Sequence, residues 1–339
     1  LRSGNSILFF NPERRLAFLL VWAGLVTVRS ESKIYALLAT ARIANVPSVV
    51  SNLGVGVLLG SIYNGRDFAW PWWLMTAAIL FYVSGNFLND WVDRDWDREK
   101  RPERALPRGM FSPISYLRVV ILGLGGGLMI AAFYGWMAVI AAAVLVGLII
   151  LYSVVHKKAA WSVIPMGLCR ACLPILGYVA MSGNLSGTVL FPAVGLLGYV
   201  LALSLSARWE ARGNLPVSDK WIARGLLLGA GLFAAILPIF ILSRTGAVIQ
   251  PSMGWIGLVP FASWLLLCIL RYQSPVSAHV SALLAGIPFI DWILLFPLAK
   301  IWLSSGRVES DEPMYLIALF LAPSCFVVGR LLQRLAPAT

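Results

Sequence analysis

The stretch NFLNDWVDRDWDREKRPERALPRG, residues 86–109, holds six acidic and six basic side chains in a chain of 339 residues that is 12% charged and 59% hydrophobic. Around it, apolar runs repeatedly reach the length of about 20 residues needed to cross a bilayer, and the mean hydropathy is +0.82. A soluble chain carries about 25% charged residues because its surface must be covered with them. Composition therefore implies an all-α polytopic membrane protein with its charge gathered where helices leave the membrane, and no soluble domain is visible. The net charge of +12 does not point to a nucleic-acid partner, since the basic residues fall in short connections and read as topology signals.

Within the stretch the spacing is informative. Asp90, Asp93 and Asp97 stand at i, i+3 and i+7, with Asn86 four residues before Asp90. At about 100° per residue these four side chains fall within roughly 60° of one another if the preceding helix continues. Asn89 lies at the edge of that arc and Asp95 points away. Carboxylates sharing a face repel one another unless cations neutralise them. Carboxylate and amide oxygens suit Mg²⁺, which binds phosphates alongside one or two carboxylates, and Arg98, Lys100, Arg101, Arg104 and Arg108 are placed to hold phosphate oxygens. The alternative is a solvated helix end whose acids and bases pair locally and only set topology. Trp91 and Trp96 place the acidic face at headgroup depth.

Spans are expected over 33–62, 70–89, 113–134, 136–155, 161–181, 189–206, 221–242, 253–270, 276–303 and 314–332. The first and ninth are long enough to tilt or break, with Pro47 and Pro288 as the obvious places. Basic residues collect in the connections after the second, fourth, sixth and eighth spans, which puts those loops and both termini on the cytoplasmic side. The apolar run 16–28 reads as an interfacial helix, and the opening Leu1 suggests a fragment or a misassigned start. Cys169, Cys172, Cys268 and Cys325 all lie in apolar runs and read as small helix residues. The C-x-x-C of Cys169 and Cys172 lacks further soft ligands, because the only histidines are His156 and His279. Both histidines fall at helix ends, where interfacial hydrogen bonding is expected.

NDWVDRDWD (89–97) followed by RPERALPRG (101–109) resembles the first aspartate-rich signature of the UbiA superfamily of intramembrane prenyltransferases. ARIANVPSVVSN (41–52) adds a match at the opening of the first helix, where Asn45 and Asn52 either line a cavity or hydrogen-bond between helices. The resemblance spans about 34–303. It implies a prenyltransferase domain over 33–303, preceded by a segment 1–32 and followed by an additional span and tail over 304–339. It also implies a bundle of about nine to ten helices around a central cavity, in the bacterial inner membrane. The implied activity is Mg²⁺-dependent transfer of an isoprenyl group from a prenyl diphosphate to a lipophilic, aromatic acceptor. Asp90, Asp93 and Asp97 would be the catalytic, metal-holding acids, joined by Glu210. Asn45, Asn86, Asn89, Arg101, Arg104, Arg108, Arg170, Arg208 and Arg212 would bind substrate.

One part departs from the family pattern. Where a second aspartate-rich motif belongs, the chain reads SARWEARGNLPVSDKW (206–221), with Glu210 as the sole acid of the expected turn and Arg208 and Arg212 flanking it. This version resembles the EboC-like branch and leaves a second reading open, a non-catalytic carrier of a prenylated or aromatic metabolite. Two charges fall inside spans, Arg170 and Asp291. Each is costly against lipid, so each should face the cavity or a partner, whether substrate, one another or backbone carbonyls. Donor length, acceptor identity and oligomeric state are not legible in the residues.

Overall fold

The computed structural model describes residues 32–64, 69–157, 160–208, 217–244, 256–304 and 308–336. The expected interfacial helix at 16–28, and with it Glu210 and Arg212, lies outside the described residues. Among these residues twelve α-helices follow one another: α1 Lys33–Thr40, α2 Val46–Asn64, α3 Trp72–Val92, α4 Arg94–Lys100, α5 Pro113–Ala132, α6 Trp136–Val155, α7 Val163–Ser182, α8 Gly187–Ala207, α9 Val217–Arg244, α10 Leu258–Arg271, α11 Val276–Ser304 and α12 Val308–Leu332. Short 3₁₀ turns, Ile43–Asn45 and Ala160–Ser162, precede α2 and α7. No strand occurs among the described residues.

Among the described residues, seven segments are long and apolar enough to cross a bilayer: Ile43–Ile62, Pro113–Ala132, Trp136–Val155, Val163–Ser182, Gly187–Ala207, Val276–Ala299 and Met314–Leu332. The protein is an integral membrane protein with an all-helical bundle. The other expected spans also appear as helices, for identifiable reasons short of full hydropathy or length. The C-terminal half of α3 carries Ser84, Asn86, Asn89 and Asp90, which lowers its hydropathy. With 14 residues, α10 extends about 21 Å at 1.5 Å per residue, less than the ~30 Å hydrocarbon core.

Local chemistry sets the boundaries. Ser112 caps α5, its side chain accepting from the Ser115 backbone N–H at 3.2 Å, and Pro113 opens the helix, where a missing N–H costs nothing. Gly183 closes α7 with φ +74°, the left-handed conformation that glycine adopts without a Cβ penalty. The expected first span does break, though not at Pro47. The break is at Arg42, whose φ is +47°, while Pro47 sits in the first turn of α2, where proline is tolerated. The ninth span does not break: α11 runs on through Pro288 and Pro297.

Packing is organised around two buried helices. On α2, Val49, Leu53, Val55, Val57 and Leu58 have no exposed surface. On α11, Leu283, Ile290, Ile293 and Leu294 are almost as deeply buried. The apolar surface of α5 and α6 instead points outward, with Leu122 74% and Phe133, just past α5, 87% exposed, as lipid-facing residues should be. All four cysteines are free thiols, in keeping with small apolar roles.

The crossing of α2 and α7 depends on glycine. A Cβ added to Gly56 would strike the Pro174 carbonyl, one on Gly60 the Tyr178 carbonyl, and one on Gly177 the Leu53 carbonyl. Backbones approach this closely only where side chains are absent. Gly56→Leu is therefore expected to destabilise the protein by at least about 1–3 kcal/mol, the usual cost of overpacking, seen as a lower Tm in detergent. Gly147→Leu, on α6 where an added Cβ meets nothing within 4 Å, is expected to leave Tm unchanged.

Candidate active site

The helix carrying the acidic face does continue past the membrane-facing part of α3. Asp93 closes α3 with helical angles, φ −81° and ψ −5°, and the ladder runs on through Asp93 N–H to Asn89 C=O at 2.9 Å and Asp97 N–H to Asp93 C=O at 2.8 Å. Asn86, Asn89, Asp93 and Asp97 consequently share one wall of a cavity of about 350 Å³. Asp95 points away and is 70% exposed. Asp90 is not part of the cavity lining; its carboxylate accepts from Arg104 Nη1 at 3.1 Å.

Bases meet these acids from two directions. Arg104, in the loop after α4, donates through the same Nη1 to Asp97 Oδ2 at 2.8 Å, tying Asp90 to Asp97. His156 and Lys157, at the end of α6, come from across the cavity. His156 Nε2 donates to Asp93 Oδ2 at 2.9 Å, while its Nδ1 faces the Ser153 carbonyl at 3.1 Å. Lys157 Nζ lies 2.8 Å from Asp93 Oδ2 and 3.7 Å from Asp97 Oδ1, and 3.5 Å from the centre of the Trp96 ring, a cation–π contact. Burial alone would raise the Asp93 carboxyl; the hydrogen bonds from His156 and Lys157 outweigh it and hold the group below the usual carboxylate range.

Of the other expected residues, Asn45, Arg101, Arg170 and Arg208 line the same cavity. Arg108 is exposed and outside it. Asn52 is fully buried and bonds between helices instead of lining the cavity. Arg170 and Asp291 do not pair directly. Arg170 Nη1 donates to Ser48 Oγ at 3.0 Å and to Asn52 Oδ1 at 3.2 Å, and Asn52 Nδ2 donates to Asp291 Oδ2 at 2.8 Å.

Arg42, Tyr152, His156 and Lys157 line the cavity as well and are not singled out by the acidic motif. The alternation of basic loops held the signal, since it places the end of α6 on the same side as the acids. Below this polar mouth the lining turns apolar, with Phe81, Leu145, Ile149, Leu173 and Leu203.

The donor set is compatible with a hard divalent cation. Asn89 Oδ1 and Asp97 Oδ1 are buried without a hydrogen-bond partner, and both residues face the cavity. Oxygen donors of this kind suit Mg²⁺. Among the described residues no three His, Cys, Asp or Glu side chains already converge as a ligand set; Arg104, His156 and Lys157 hold carboxylate oxygens that a metal would take over.

Residues 53–296 match the UbiA prenyltransferase family. A digeranylgeranylglyceryl phosphate synthase of Pyrococcus furiosus is 24% identical over 269 residues, covering 76% of this chain and 86% of that protein. A protoheme IX farnesyltransferase of Klebsiella pneumoniae is 29% identical over 160 residues, 43% of this chain and 52% of that protein. The apo structure of a UbiA homolog from Aeropyrum pernix K1 has the same fold, with a TM-score of 0.56, 16% identity, and coverage of 74% of this chain and 98% of that one. The family match spans most of the chain and includes the acidic face, its basic partners and most of the cavity they enclose: the chain belongs to the UbiA prenyltransferase family.

Proposed function

We propose that this protein transfers an isoprenyl group from a prenyl diphosphate to a lipophilic acceptor, with Mg²⁺ at the acidic face and the polar mouth of the cavity toward the cytoplasm, in the bacterial inner membrane. The observation that carries this reading is the cavity itself, in which buried carboxylates, opposed cations and an apolar interior form one continuous space.

The chain's own residues divide the work. Arg101, Arg104, Lys157 and Arg208 supply positive charge at the mouth, where diphosphate oxygens would be held by charge-assisted hydrogen bonds. Asp93 and Asp97, with the unpartnered Asn89 Oδ1, would hold Mg²⁺, and Asp90 would steady Arg104 through their ion pair. When bound, the metal supplies neutralisation of the charge that builds on the leaving diphosphate. In the transfer the C1–O bond of the donor breaks with its electron pair leaving on diphosphate, a bond forms between C1 and the acceptor, and the acceptor gives up a proton. Phe81, Leu145, Ile149 and Leu203 exclude water from the electron-poor carbon, and the Tyr82 ring, also in the wall, offers it a π-face. The orientation rests on charge, because the acidic face, Lys157 and Arg208 all open at one end of the bundle and basic loops stay on the cytoplasmic side. The expected contribution of Glu210 as a ligand from the second motif is part of the same proposal.

The test is incubation of the full chain in lipid with radiolabelled geranyl, farnesyl and geranylgeranyl diphosphates and a membrane-lipid extract. A lipophilic labelled product is expected with Mg²⁺ and none with EDTA. Asp93→Asn and Asp97→Asn are each expected to lower the rate at least about 100-fold, the scale on which electrostatic stabilisation of a transition state is lost. Diphosphate that binds yet yields no product with any extract would overturn the transferase reading and leave a carrier. Lys157→Met is expected to weaken diphosphate binding about 10-fold or more, the range of a lost charged hydrogen bond, measured by equilibrium dialysis with labelled donor.

A further inference from the structure

A second cavity, of about 650 Å³, opens between α11 and α12 and shares no lining residue with the first. Its walls come from Tyr272, just past α10, from Ser277 and Ser281 on α11, and from Arg330 and Arg334 at the end of α12. The family match ends at residue 296, so the segment that supplies both arginines lies beyond it. α11 serves both spaces: Val280 and Leu284 line the central cavity, Ser277 and Ser281 this one.

Two arginines stand here, yet no acidic residue lines the cavity. Arg330 is half-buried, and its hydrogen-bond partners among the described residues are all neutral. Nη1 donates to Gln333 Oε1 at 2.8 Å and Nη2 to the Tyr272 hydroxyl at 3.4 Å. A guanidinium carries more N–H groups than these two contacts use, and a part-buried cation without an anion is poorly compensated. Arg334 is exposed and makes no hydrogen bond or ion pair with any described residue. Arginines that only mark the membrane surface snorkel toward water on mobile stems. Arg330 is instead held in one orientation. Its guanidinium carbon lies 5.4 Å from the centre of the Trp264 ring and 5.6 Å from that of Tyr272, and Gln333 is itself anchored by donating to the Ser281 carbonyl at 2.8 Å.

Away from the arginines the same wall turns apolar. Val327 and Leu331 line the cavity and are 54% and 51% exposed. With Arg334 they form an i, i+4, i+7 stripe, which keeps to one helical face. From Val327 to Arg334 the stripe runs about 10 Å at 1.5 Å per residue. Charge at one end and hydrocarbon at the other, within one groove beside a spanning helix, suit an amphiphile lying along α12. A soluble anion would use only the cationic half. Basic pockets between spanning helices hold anionic headgroups in this manner.

We propose that the groove between α11 and α12 binds an anionic glycerophospholipid. Arg330 and Arg334 take the phosphate through charge-assisted hydrogen bonds, the Ser277 and Ser281 hydroxyls supply further donors, and an acyl chain lies against Val327 and Leu331. The site is separate from the transfer chemistry of the central cavity and does not depend on it.

The experiment titrates the full chain, delipidated in detergent, with phosphatidylglycerol and with phosphatidylcholine of the same acyl chains, and counts bound lipid by native mass spectrometry. The wild type is expected to bind phosphatidylglycerol at least about 10-fold more tightly, the scale of one hydrogen bond to a charged group. Arg330→Gln is expected to remove most of that preference and Arg334→Gln to lower it several-fold, with phosphatidylcholine binding unchanged. Arg271→Gln, exposed at the same end of the bundle but outside the groove, is expected to leave the preference intact. Equal affinity for the two lipids in the wild type would overturn the proposal. So would a loss in Arg271→Gln as large as that in Arg334→Gln, which would mark a general attraction to basic surface. Millimolar inorganic phosphate, added as competitor, is expected to leave the lipid bound; displacement would assign the groove to a soluble anion and overturn the lipid. If Arg330→Gln does not fold, the exposed Arg334 and Arg271 variants still decide.

Discussion

Carboxylates gathered on one helical face beside a bilayer stay charged only if cations come to them, and much of the site's architecture follows from that constraint. Asp93 and Asp97 are nearly buried, and Arg104, His156 and Lys157 converge on them from two separate connections. These contacts bind the loop after α4 and the end of α6 to the same point, although more than fifty residues separate them in the chain. Because the cations are held by the acids, they stand at the mouth of the cavity and do not scatter into solvent. The same groups that solve an electrostatic problem of folding are thereby set where an anionic substrate and a metal would meet.

The rest of the bundle forms the space beneath. Glycines on α2 and α7 bring those helices into backbone contact, and α3, α6, α7, α8 and α11 contribute the cavity wall. A second charged level lies at this wall in Arg170, backed by Asn52 and Asp291 behind it. Such a network is expensive inside a membrane bundle, and its members come from three helices with no regular sequence spacing between them. The cavity thus has a cationic and acidic mouth, an apolar middle, and the guanidinium of Arg170 in its wall.

Much of this is visible in the amino-acid order. Hydropathy and charge alternation identify the helices and the side on which the loops gather, and the i, i+3, i+7 spacing of Asp90, Asp93 and Asp97 identifies the face, since helical geometry is local and repeats along the chain. Which carboxylates line the cavity is not local. Asp90 is drawn onto Arg104 and Arg108 remains outside, because the loop after α4 turns only one of its arginines toward two acids at once. Lys157 and His156 stay inconspicuous in sequence, as ordinary residues of a basic connection, until the fold carries them across to Asp93. Likewise the break before α2 comes at Arg42, whose left-handed φ is a product of tertiary packing, and not at the proline that sequence rules nominate.

By itself the sequence determined the solvent each segment needs, the helical period of the acidic face and the side of the membrane on which charge accumulates, all of which depend on neighbours within a few turns. Only the tertiary structure decided which cation meets which acid, and that Arg170 reaches Asp291 through Asn52 and not directly. Those outcomes depend on angles and separations between helices far apart in the chain, where a shift of an ångström makes or breaks a hydrogen bond.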